Sequence, residues 1–191
     1  LFSGNLEGAA PVTRSGASFT YNGDQGQRLI QVGENRQIAD GDPGASVFFN
    51  IRNGNGDFAT SQAASNAGTG VLGAGSLLNP ALWDQGQYTV SFTSPTSYEV
   101  LDASAAVISS GTFQAGDTLA FRGIEFSISG QPVAGDEFFV SPSSYQDVFT
   151  SVERLVTAVE TSIRDDGSRA ALTNGINAGL MNIDQAIGNI L

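Results

Sequence analysis

The chain has 191 residues, enough for one or two domains with a substantial core. Nineteen acids against eight cations give a net charge of −11, and such a surface repels nucleic acid and anionic membrane surfaces. Every cation is an arginine, and there is no histidine, lysine or cysteine. That composition removes the commonest general base, the amine nucleophile, disulfides, thiolate nucleophiles and zinc–thiolate sites.

No apolar run approaches the roughly 18 residues of a membrane span, and no basic-then-apolar signal peptide opens the chain. A start at Leu1 without methionine suggests a fragment or a processed chain. Leu191 falls inside a helical pattern that has no stop signal.

Residues 1–57 are rich in Gly, Asn and Asp, with turn signals at Asn22-Gly23, Asp42-Pro43-Gly44 and Asn53-Gly54-Asn55-Gly56. Short runs lie between them at Ser18–Tyr21, Arg28–Val32 and Val47–Ile51. Residues 59–82 are Ala, Ser, Gly and Thr with little to pack, and they read as a long surface loop. Over residues 87–140 the period becomes two. Tyr88, Val90 and Phe92 alternate with Thr89, Ser91 and Thr93. Tyr98 and Val100, Leu119 and Phe121, Ile124, Phe126 and Ile128, then Phe138 and Val140 continue the pattern. Alternation broken by regular turns predicts a small antiparallel β domain.

At Ser143 the period changes to three and four. Val148, Val152, Leu155, Val156, Val159 and Ile163 form one helical stripe. Ser143 with Gln146 fits a capping box, and Asp147 suits the positive end of the helix dipole. Asp165-Asp166-Gly167 breaks the run. A second stripe follows at Leu172, Ile176, Leu180, Ile183, Ile187 and Ile190, close to a heptad seam. Asn182 falls off that stripe, on the face expected to tolerate change. Gly175, Gly179 and Gly188 each cost roughly 1 kcal/mol of helix propensity against Ala. They mark either the close approach of another helix or mere local drift. The stripes themselves predict an assembly seam of Val152, Val156, Val159, Ile163, Leu172, Ile176, Leu180, Ile183 and Ile187. It calls for a partner helix, from elsewhere in the same chain or from a neighbour.

The acids offer little chemistry. Asp24, Asp40, Asp42, Asp136-Glu137 and Asp165-Asp166 all sit beside or near glycine, where Asp hydrogen-bonds its own backbone in tight turns. None matches the ladder of a calcium-binding loop. The GTGVLGAG stretch lacks the Lys-Ser/Thr of a phosphate loop. Serines abound, but no His or Lys exists to activate them. Carboxylates paired only in space, as in glycosidases, stay open at this point. Trp83, Tyr88, Phe92 and Tyr98 form either a sugar-binding face or core. No catalytic, cofactor or metal residue is expected.

Several stretches resemble one family. They are Leu1-Phe2-Ser3-Gly4, Tyr21-Asn22-Gly23-Asp24, Asp42-Pro43-Gly44 with Val47-Phe48, and Ile51-Arg52-Asn53-Gly54. The Asn66–Gly70 segment, Gly123-Ile124, Gly130–Asp136 and the helical region Tyr145–Leu191 complete the set. In order and spacing they are similar to the middle and C-terminal portion of the FlgL-type flagellar hook–filament junction family, in the flagellin superfamily. The resemblance covers nearly the whole chain. It implies an α+β fold, with an antiparallel β-rich outer domain inserted between helices that pack as a bundle. Residues 1–11 would connect from absent N-terminal helices, 12–141 would form the outer domain, and 142–191 would be part of the bundle.

The resemblance further implies a non-enzymatic structural adaptor between hook-side and filament-side subunits. It would be exported without a cleaved signal and would act extracellularly. Its partners would be copies of itself, the adjoining hook-associated protein, flagellin and the export apparatus, with no nucleic acid and no membrane span. The alternative reading is an extracellular carbohydrate-binding or adhesive β module.

Overall fold

The computed structural model describes residues 2–6, 8 and 10–190, so Leu1 and Leu191, which figure in the sequence reading, lie outside the described residues. Two hairpins come first: β1 (Val12–Ser15) with β2 (Ser18–Tyr21), and β3 (Leu29–Gly33) with β4 (Arg36–Ala39). A single helical turn, α1 (Gly44–Phe48), and a short strand, β5 (Ile51–Arg52), lead into the main β region. That region runs β6 (Phe58–Gln62), β7 (Val71–Leu72), β8 (Ser76–Leu77), β9 (Tyr88–Ser94), β10 (Ser97–Asp102) and β11 (Val107–Thr112). It continues with β12 (Thr118–Phe121), β13 (Ile124–Ser129), β14 (Glu137–Pro142) and β15 (Tyr145–Gln146), and two helices follow, α2 (Val148–Glu160) and α3 (Asp166–Ile190).

The strands form two facing sheets. One has the order β11-β10-β9-β14-β6; the other is β12-β13-β7, with β8 also paired to β13. Every strand pair is antiparallel, as alternation with one wet face requires. Register aligns Val100, Val90 and Phe138 in one row across the larger sheet. Their side chains meet Leu119, Ile124, Phe126 and Ile128 of the smaller sheet in one buried cluster. Each such side chain contributes about 1.5–3 kcal/mol by leaving water. Phe92 anchors the centre, with the rings of Phe113 and Phe138 edge-on at 5.0 and 5.8 Å.

A smaller aromatic cluster sits apart from this core. Phe149 at the start of α2 packs against Phe19 of β2 at 5.3 Å and against Phe48 and Phe49 at 5.9 Å. Phe2 completes it against Phe48. Arg14 on β1 pairs with Glu153 on α2 beside the cluster. The hairpin β3–β4 makes no such contact: Leu29, Ile30, Val32 and Ile38 are all exposed.

Residues 59–82 are not the surface loop that their composition suggests. They contain β6, β7 and β8, and Leu72 reaches the core. The small residues are what allow it. A Cβ on Gly70 would stand 2.5 Å from the Phe138 ring, so the backbone itself packs where a side chain otherwise would. The first long helix likewise begins at Val148, not Ser143. Ser143 is buried and donates its hydroxyl to the Asn53 carbonyl at 2.7 Å, while Tyr145–Gln146 pairs with β5. Asp147 is the true N-cap, accepting from the Thr150 amide at 2.7 Å. Ile163 falls beyond the end of α2, because Thr161 turns extended at ψ 124°. Asp165 then caps α3 by accepting from the Ser168 amide at 2.7 Å, so Asp166 and Gly167 already lie within the helix.

Candidate assembly interface

The two long helices pack antiparallel. A Cβ on Gly175 would stand 2.6 Å from the Ala158 Cβ, and one on Gly179 would stand 2.8 Å from Leu155 Cδ1. Close approach therefore accounts for both glycines. Gly188 has nothing within 4 Å of such a Cβ, and no contact explains it.

α3 divides its surface three ways. One stripe, Gly167, Ala170, Asn174, Gly179, Asn182 and Ala186, is buried. The second, at Gly175 and overlapping the first at Gly179, meets α2. The third carries residues of the expected seam, and there Leu180, Ile187 and Ile190 are half or more than half exposed, at 56, 50 and 57 %. On α2, Val152, Val156 and Val159 are exposed in the same manner, as is Ile163 just beyond it. Leu172, Ile176 and Ile183 are half-buried. The seam residues thus stay partly or largely in water rather than closing on one another.

Sequence reasoning missed the asparagines. Asn182 does not lie on a free face: it is buried, and its Oδ1 accepts from the Gly54 amide at 2.9 Å. Asn174 Oδ1 accepts from the Leu72 amide at 2.7 Å, and its Nδ2 donates to the Gly70 carbonyl at 3.0 Å and to Gln62 Oε1. Asn189 donates to the Ser46 carbonyl at 2.7 Å. Their spacing of eight and seven residues, about two turns each, was the available signal.

The acidic pair at Asp136-Glu137 is structural. Asp136 is buried, with its carboxylate accepting from the amides of Ala67 at 2.9 Å, Gly68 at 3.1 Å and Val133 at 3.0 Å. It stitches the 66–68 segment to the turn that precedes β14. Asp24 likewise accepts from the amides of Asn5 and Gly26, and Asp42 from the Gln27 side chain.

Two serine hydroxyls do reach carboxylates: Ser104 to Asp102 and Ser168 to Asp165. Each carboxylate also accepts backbone amides, and those hydrogen bonds hold it below the usual carboxylate range. For Asp102 the Ser104 hydroxyl is the leading cause; for Asp165 it is the Ser168 amide. A lowered carboxyl is a poorer base, and both pairs are turn and cap contacts. Among the described residues no three acids cluster as metal ligands. Phe92 and Tyr88 are in the core, with Trp83 and Tyr98 packed against it, so these four aromatics present no open platform for a sugar. Among the described residues no helix is long and apolar enough to cross a membrane.

No protein-family profile and no curated protein sequence matches the chain. Solved structures do. Xanthomonas campestris FlgL superposes with a TM-score of 0.93 at 34 % identity, over 100 % of this chain and 62 % of that one. The flagellar junction protein FlgL of Legionella pneumophila superposes with a TM-score of 0.92 at 30 % identity, over 99 % of this chain and 62 % of that one. This chain therefore spans less than two thirds of the length of the proteins it matches. Over that span, the sandwich, the leading hairpins and the helix pair together are similar in fold and in sequence to FlgL-type flagellar junction proteins.

Proposed function

We propose that the protein is a structural adaptor of the bacterial flagellum, joining the hook-associated zone to the flagellin filament. The observation that carries this reading is the superposition on FlgL junction proteins along the entire chain. In this reading residues 142–191 form part of a tubular wall and residues 12–141 an outer domain, with 1–11 linking to further helices. The seam residues Val152, Val156, Val159, Ile163, Leu172, Ile176, Leu180, Ile183 and Ile187 are covered there by those helices or by neighbouring subunits. Burial of each is worth about 1.5–3 kcal/mol. Contacts between copies are heterologous and non-closing, as a helical assembly demands. The partners are copies of the protein, the adjoining hook-associated protein, flagellin and the export apparatus. The protein works outside the cell without a cleaved signal, and it performs no bond-making chemistry.

Charge is compatible with an outward placement: residues 12–141 hold twelve acids and five arginines, and like-charged outer domains repel and stay apart.

Deleting the gene should leave hooks without stable filaments and flagellin in the medium, and the intact gene should restore swimming. The variant Leu180→Asp should fold normally, since that side chain is exposed, yet fail to restore filaments. Normal filaments in the deletion strain would overturn the proposal.

A further inference from the structure

We propose that Asn174 is a positioning residue: its side-chain amide stands in for a missing strand and locks the β-sandwich to the helix pair as one stiff body. The inference rests on the geometry of this chain and holds whether or not the adaptor reading is right.

The larger sheet ends at β6 and the smaller one at β7. α3 runs across both edges, and Asn174 is bonded to each: to Gln62 of β6, and to Gly70 and Leu72 at β7. Residues alternate along the β7 segment. Gly73 donates its amide to the Ser127 carbonyl of β13, whereas the Gly70 carbonyl and the Leu72 amide point the other way. A neighbouring parallel strand would supply one donor and one acceptor to those two groups. The Asn174 carboxamide supplies both.

An asparagine inside a helix lowers helix propensity, and a buried amide left unpaired is costly. Here each Asn174 hydrogen-bonding group has a partner, so the residue is repaid by the joint. Directional bonds also do what a leucine could not. Apolar contacts tolerate sliding and rotation, whereas an amide paired to two fixed backbone groups sets the helix in one register. Asn182, bonded to the Gly54 amide, and Asn189, bonded to the Ser46 carbonyl, repeat the device at two later points on the same face.

The chain has no cysteine, so spin labels can be placed at will. Cysteines at Ser104, in the turn after β10, and at Thr157, on the exposed side of α2, report the sandwich–helix distance. The intact protein should give one narrow distance distribution. Asn174→Asp keeps the shape but removes the donor, and Asn174→Leu keeps the volume but removes both groups. Each should widen the distribution about twofold, as expected when a locked joint begins to open locally. The near-ultraviolet signal of Trp83 should persist, because the sandwich core is untouched. A merely stabilising role would lower the melting temperature without changing that width.

A second measurement needs no variant. The Leu72 amide should exchange with solvent as slowly as amides within β13, although among the described residues no strand covers that edge. In the variants it should exchange about tenfold faster. Unchanged distance widths in both variants, or a Leu72 amide exchanging at loop rates in the unaltered protein, would overturn the proposal.

Discussion

The Tyr88 hydroxyl sits 2.6 Å from each carboxylate oxygen of Asp84 and donates to that group. The bond joins β9 to the loop before it, and the Tyr88 ring lies 6.1 Å from that of Trp83. Burial, then the Asp84 hydrogen bond, push the Tyr88 phenol up from 10.0 to about 12. The same bond is the leading reason that the Asp84 carboxyl lies below its ordinary value.

The folded phenol titrates above the unfolded one. Its stabilisation is therefore complete below pH 10 and is lost as pH rises toward about 12. Denaturation midpoints should fall across that window, and Tyr88→Phe should flatten the fall. The absorbance of tyrosinate in the folded protein should lose its late-rising component in the same variant. An unchanged alkaline profile in Tyr88→Phe would contradict this assignment.

Removing the Asp136 carboxylate strands the amides of Ala67, Gly68 and Val133 in a buried site. Asp136→Ala should cost roughly 3 kcal/mol in denaturant unfolding. Glu137→Gln, one residue on, should change stability by no more than about 0.5 kcal/mol, since it is the Glu137 backbone that bonds to Asn66. Equal effects from the two substitutions would show that the carboxylate is not the stitch.

The helix glycines give predictions of opposite sign. Gly179→Val drives a side chain into Leu155 and should cost about 1–3 kcal/mol by forcing α2 away. Gly188→Ala meets nothing within 4 Å and should stabilise the helix by about 0.5–1 kcal/mol. Thermal melts of both variants against the parent are sufficient.

The thirteen-residue core lies wholly between Phe58 and Val140. Residues 12–141 expressed alone should keep a cooperative melt from that core. β1–β2 and α1, deprived of Phe149, should lose their amide protection. A random-coil spectrum for the span would rule out an independent outer domain.

The sequence displayed β9 to β14 because large apolar residues alternate there with Ser and Thr, which is the pattern a half-wet sheet imposes. It concealed β6 to β8 because small residues carry no period. Those strands exist only where β13 and β14, with the Phe138 ring, arrive from elsewhere in the fold. The proposed seam rests on branched apolar residues at helical spacing, several of which the structure leaves exposed. The asparagine joint was not, since an amide's value depends on finding a backbone edge that sequence does not show. The start of α2 was misplaced because Ser143 and Asp147 both offer capping oxygens, and only strand pairing at Tyr145 decides between them.

The threefold division of α3 makes the chain unequally tolerant of insertions. One added residue near Ala178 would rotate everything beyond it by about 100°. Asn182 would then leave Gly54, Ile183 and Ile187 would leave the proposed seam, and Ala186 would swing out of its buried site. The same insertion between Glu34 and Asn35, at the tip of a hairpin whose strands are exposed along their length, would disturb no contact outside the hairpin. Among homologues, length variation should therefore gather at the β3–β4 tip and be nearly absent from α3, so that the helix acts as the ruler against which the rest of the molecule is measured.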